Sequence, residues 1–158
     1  MDVDGTLTDG KVYMGNDGEL FKAFDIKDGY GIRFLLAEKG IVPIVITARN
    51  SRIVDNRCKE MAISEIHQGV MVKMDCLKEI LISYSQKDQF EYSLSCVAYI
   101  GDDLLDLQCM IPIKNAGGII GCPADAVTEV KNICEFVSHH KGGDGAVREF
   151  VEYIIKNN

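Results

Sequence analysis

The sequence predicts an α/β fold, with a parallel sheet layered by helices and a small β-hairpin set in near its start. Three observations carry this. Short β-branched runs alternate with stretches of helical period, the pattern of parallel sheets. Several aspartates and a threonine stand just after those runs, where the ligands of such sheets gather. At 158 residues, 47% of them apolar and 26% charged, the chain has the size and make-up of one soluble domain that buries roughly two-thirds of its unfolded surface.

The elements follow in chain order. "MDVDGTLTDG" places two aspartates at the start with only Met1 in front of them. "KVYM" and "LFKAF" flank the turn-rich "GNDGE", so residues 11–24 read as a hairpin. A helix is expected near 29–39, then a buried strand over "IVPIVIT" (41–47) and helices near 51–62 and 72–85. "CVAYIG" (96–101) and "GGIIG" (117–121) read as strands, and helices near 124–132 and 145–156 complete the chain. There is no repeat, low-complexity tract or linker, so residues 1–158 form one domain. Only one hairpin and one helix fit between "DVDGT" and "ITAR", too little for a large cap domain.

Composition excludes several classes. A net charge of −7 argues against a nucleic-acid or anionic-membrane binder. No apolar run approaches the ~18 residues of a membrane span, and no signal peptide is expected ahead of the first motif. The cysteines (58, 76, 96, 109, 122, 134) show no CxxC pair, and neither they nor His67, His139 and His140 have metal-site spacing. Free thiols in a compact domain point to the reducing cytoplasm. Four of the five arginines (Arg33, Arg49, Arg52, Arg57) fall in one short stretch, a local anion site in an acidic protein.

The reactive residues are Asp2 and Asp4 after the first strand position, Thr47 at the end of "IVPIVIT", and Asp102 and Asp103 after "CVAYIG" with Asp106 one turn on. Asp2 and Asp4, an i, i+2 pair, project to one side of extended chain, and Gly5 lets the backbone turn tightly beneath a ligand. On the helix from Val72, Lys73 shares the core stripe of Leu77, Ile80, Leu81 and Tyr84, so its ammonium is expected at the crevice. Arg57 lies among Ile53, Val54, Cys58 and Met61 on an inward face, and Arg52 lies opposite. Clustered carboxylates without His or Cys favour a hard cation, Mg²⁺ beside phosphate. A metal, a lysine, a hydroxyl and a nucleophilic aspartate together describe phosphoryl transfer through an aspartyl-phosphate.

"DVDGT", "ITAR", Lys73 and "GDDLLD", in this order over essentially the whole chain, resemble the haloacid dehalogenase superfamily of phosphatases. More narrowly, "FDIKDGYGIR", "ITARNSRIVDNRCKEM", "YIGDDLLDL" and "GGDGAVREF" are similar to the 3-deoxy-D-manno-octulosonate 8-phosphate phosphatase family. The resemblance implies a Rossmann-like, doubly wound sheet without a large cap. It implies Asp2 as nucleophile and Asp4 as the acid, then the base. Mg²⁺ would be held by Asp2, the Asp4 backbone carbonyl and Asp102. Thr47 and Lys73 would bind the phosphoryl oxygens, with Asp103 positioning Lys73. Asp25, Ile26, Lys27, Asp28 and Gly29, together with Arg33, Arg49 and Arg57, would meet a sugar acid.

The resemblance also implies a central strand of about five apolar residues ahead of the first aspartate, where this sequence has only Met1. It further implies a homotetramer in which the hairpin helps cover a neighbour's crevice. "TAR" departs from the family's usual Thr-Gly-Arg at Ala48. Related families act on nine-carbon sialic-acid-type phosphates or form oligomerisation domains of acylneuraminate cytidylyltransferases, so both readings stand beside the first. A two-component receiver is disfavoured by motif order, because Lys73 precedes the last acidic motif.

Overall fold

A computed structural model describes residues 1–157. The hairpin forms first. Strands β1 (Tyr13–Gly15) and β2 (Gly18–Phe21) pair antiparallel, and a bridge from Thr8 to Phe24 closes the base of the arm. Tyr13 stacks on Phe21 with ring centroids 4.2 Å apart, while Val12, Met14, Leu20 and Phe21 stay exposed.

Helix α1 (Ile26–Tyr30) runs through a π-helical turn (Gly31–Leu35) into α2 (Leu36–Glu38). Asp25 starts it by accepting from the backbone N–H groups of Lys27 and Asp28, the cap an extended Asp provides. Strand β3 (Ile44–Ile46), α3 (Arg52–Glu60), β4 (Glu65–His67), α4 (Lys73–Asp88), β5 (Ala98–Ile100), α5 (Leu107–Asn115), β6 (Ile119–Cys122), α6 (Thr128–Lys131), β7 (Phe136–Val137) and α7 (Ala146–Asn157) follow. β3 pairs β4, and β5, β6 and β7 pair in that order, all parallel.

Met1 and Asp2 join the two halves. The Met1 amino group donates to the Ile44 carbonyl (2.9 Å), Ile46 N–H donates to Met1 O (3.0 Å) and Asp2 N–H to Ile100 O (3.1 Å). The strand order is therefore β4-β3-(Met1–Asp2)-β5-β6-β7. β5 holds Asp2 directly through Ile100, and β3 holds Met1 beside it. Behind Met1, β3 and β5 border an apolar cavity of about 400 Å³.

Strand residues alternate between two cores, as period-2 side chains must. Val45 and Ile100 join Ile32, Leu36, Val54, Cys58, Val147, Phe150 and Ile154 on one face. Ile46 and Tyr99 join Leu77, Ile80, Met110, Ile113, Ile120 and Val130 on the other. This is the doubly wound arrangement, with the crevice at the carboxyl ends of β3 and β5. No helix among the described residues is long and apolar enough to cross a membrane.

Four elements depart from the sequence reading. β4 and β7 are only three and two residues long, too short to show a period. α5 carries Pro112 inside it, a residue that reads as a breaker. The helix expected over 124–132 contracts to the four residues of α6.

Candidate active site

The first loop brings its own carboxylates to the crevice. Gly5 has φ +98°, and a Cβ there would lie 2.0 Å from an Asp102 oxygen. Only glycine has both the backbone freedom and the missing side chain that let the 2–6 loop lie against Asp102. Thr6, fully buried, donates its hydroxyl to Asp102 Oδ1 (2.9 Å). Thr47 is buried at the end of β3.

Lys73 is 1% exposed. Its Nζ donates to Asp2 Oδ1 at 2.6 Å and to Asp106 Oδ1 at 2.7 Å, as the helical phase requires. Asp106 Oδ1 also accepts from the Tyr99 hydroxyl (2.8 Å), and its Oδ2 accepts from the backbone N–H of Asp102 (3.0 Å) and Asp103 (3.2 Å). Asp103 does not hold Lys73. Its side chain is exposed and caps the turn at Leu104 N–H (2.7 Å), because the 3-10 turn over 104–106 swings the next acid inward instead. Asp106 was noticed in sequence only as one turn beyond the pair; its role shows once that turn is in place.

Carboxylate oxygens of Asp2, Asp102 and Asp106 lie within 4.8 Å of one another. With four donors on it, Asp106 is saturated, which leaves Asp2 and Asp102 to face a cation. Burial first, then the Asp106 charge, push the Asp2 carboxyl from 3.8 to about 6, against the pull of Lys73. Burial and then the Asp2 charge push Asp102 up to about 7. Burial works against the Lys73 ammonium, yet Asp2 and Asp106 together hold it above its ordinary value. A buried and a half-buried carboxylate that repel each other, with hard oxygen donors, fit a divalent cation such as Mg²⁺.

The outer wall is mixed. Arg57 donates to the Asp25 carbonyl (3.1 Å) and to Glu60 (3.0 Å). Gly29 makes room for it, since a Cβ there would lie 2.4 Å from the guanidinium. Arg52 is exposed, as its helical phase predicts. Arg49 pairs with Glu19 at 3.1 Å. Ile26 and Lys27 are exposed. Arg33 is exposed too, donating to the Glu60 carbonyl at 2.6 Å. Asp28, expected among the substrate contacts, is instead 1% exposed and accepts from Arg148 N–H (2.7 Å) at the first turn of α7. Arg148 is half-buried, bonded to Glu152 (2.7 Å) and laid over the Tyr30 ring.

Lys22 escaped the sequence reading. It is buried and its Nζ contacts the Asp4 carboxylate and Glu19 (3.0 Å). The available signal was a lone cation between Phe21 and Phe24 on a hairpin arm.

No model of a protein family matches the chain. It is 37% identical over 155 residues to 3-deoxy-D-manno-octulosonate 8-phosphate phosphatase KdsC of Salmonella typhi, covering 98% of this chain and 77% of that one. The crystal structure of the Yersinia pestis phosphatase of the same name matches with TM-score 0.87 and 37% identity, over 98% of this chain and 78% of that one. The Moraxella catarrhalis phosphatase, a complex with magnesium, phosphate and KDO, matches with TM-score 0.84 and 36% identity, over 99% and 83%. The chain belongs to the 3-deoxy-D-manno-octulosonate 8-phosphate phosphatase family of the haloacid dehalogenase superfamily.

Proposed function

We propose that this chain hydrolyses the phosphate monoester of a 2-keto-3-deoxy sugar acid, 3-deoxy-D-manno-octulosonate 8-phosphate before its nine-carbon analogues. The observation that carries it is the buried Asp2–Lys73–Asp106 cluster facing Asp102 across the crevice, in a chain of this family. A non-catalytic oligomerisation domain would have no use for a fully buried lysine held between two carboxylates.

Asp2 attacks phosphorus, and the bond to the sugar oxygen breaks as Asp4 gives that oxygen its proton. Water then attacks the phosphorus of the aspartyl-phosphate, giving its proton to Asp4 and freeing Asp2. Lys73 and Thr47 hold the phosphoryl oxygens, where fixed positive charge and donors matter most. Mg²⁺, held by Asp2, Asp102 and the Asp4 carbonyl, supplies charge neutralisation. Arg49, Arg57 and Asp25 meet the sugar acid with Gly29 and Arg33, and Ile26 and Lys27 form the outer rim.

The free cysteines fit a cytoplasmic setting. The exposed apolar arm (Val12, Met14, Leu20, Phe21) is more than a two-stranded hairpin leaves bare, so the working state is a homotetramer that buries it.

Phosphate release across eight- and nine-carbon sugar acid phosphates tests the substrate, with Asp2→Asn expected to be inert. Equal rates on both chain lengths would overturn the assignment. Mg²⁺ should raise the Tm of the wild type by mass action and leave Asp102→Asn unmoved. Light scattering that shows an active monomer would refute the tetramer.

A further inference from the structure

Lys22 sits just past β2, and its side chain is 1% exposed. An ammonium buried that deeply is costly unless every proton finds an acceptor. It finds two carboxylates from different parts of the chain. Asp4 Oδ1 belongs to the catalytic loop, and Glu19 Oε1, 3.0 Å away, belongs to the hairpin. Glu19 in turn accepts from Arg49 at 3.1 Å and from the Ser51 hydroxyl at 2.5 Å, both in the loop after β3. One buried cation therefore ties together the hairpin, the first loop and the loop after Thr47.

We propose that Lys22 is a positioning residue for the leaving-group step. It acts through Asp4 and rests on Asp4 being the acid of the proposed function. By occupying Asp4 Oδ1, Lys22 fixes the plane of the carboxyl group and leaves Oδ2 to carry the proton. That proton passes from Oδ2 to the sugar oxygen as its bond to phosphorus breaks, and the electron pair of that bond becomes the new O–H bond. Glu19 sets where Lys22 stands, so the hairpin registers the acid against the crevice of its own chain.

The consequence depends on the leaving group. An alkoxide needs the proton; p-nitrophenolate leaves without it. With Mg²⁺ present, Lys22→Met should lower kcat on the sugar acid phosphate about 100-fold, the low end of what a placed general acid supplies. On p-nitrophenyl phosphate the loss should stay below about fivefold, with KM changed little on either. Lys22→Arg should recover at least about tenfold on the sugar acid phosphate. Should Lys22→Met fail to fold, Glu19→Gln carries the test, with the same selectivity at smaller amplitude. Asp4→Asn is the control. If it shows the leaving-group selectivity and the Lys22 and Glu19 variants lose equally on both esters, Lys22 is a structural tie and the inference fails alone. If Asp4→Asn itself loses equally on both, Asp4 is not the acid and the inference falls with that reading.

Discussion

Asp106, rather than Asp103, holds Lys73: its Oδ1 lies 2.7 Å from Nζ in a pocket closed by Tyr99. Four donors converge on this one carboxylate. An amide at 106 removes the charge that balances a buried ammonium and turns an NH₂ toward other donors. Asp106→Asn should cost roughly 3–5 kcal/mol of stability and lower kcat/KM by about a hundredfold or more. Asp103→Asn, which keeps a capping oxygen at an exposed turn, should change both little. Urea unfolding and phosphate-release kinetics on the two variants check this, and equal losses would return Asp103 to the site.

Asp28 gives the protein a specific pH dependence. Burial is the main cause that raises its carboxyl from 3.8 to about 6, and one of its oxygens accepts no hydrogen bond among the described residues. Since the folded value lies above the unfolded one, the folded state binds more protons between them. The group therefore costs stability in full above pH 6, and the cost fades as pH falls from 6 toward 4. Two units correspond to up to roughly 3 kcal/mol. Wild-type stability minus that of Asp28→Asn should therefore rise as pH is lowered through this window. A difference that is flat from pH 4 to 7 would contradict it.

Much of this site was legible in the sequence because it depends on position along regular elements. Lys73 and Arg57 were placed by helical phase alone, and both point inward as that phase requires. Thr47 and Asp102 were placed by following β-branched runs, and Asp2 by its i, i+2 spacing to Asp4 in "DVDGT". What could not be read depends on where one loop turns relative to another. Asp103 and Asp106 are both plausible partners for Lys73 until the 3-10 turn over 104–106 chooses between them. Asp28 looks like part of a polar binding segment until α7 docks on it, 120 residues later in the chain. Lys22 lies on a hairpin whose fold-back against Asp4 has no local signature. α5 was hidden by Pro112, whose missing N–H the tertiary packing of Met110 and Ile113 tolerates.

Arg57 and Gly29 act as a pair. The guanidinium passes over Gly29 to reach the Asp25 carbonyl, so a methyl group at 29 must displace it. Gly29→Ala should copy Arg57→Ala, each raising KM for the sugar acid phosphate by about tenfold, on the order of one charge-assisted hydrogen bond. Arg52→Ala, on the exposed face, should leave KM unchanged. Steady-state kinetics on the three variants decide it. A Gly29→Ala enzyme with native KM would show that the guanidinium can be moved without cost.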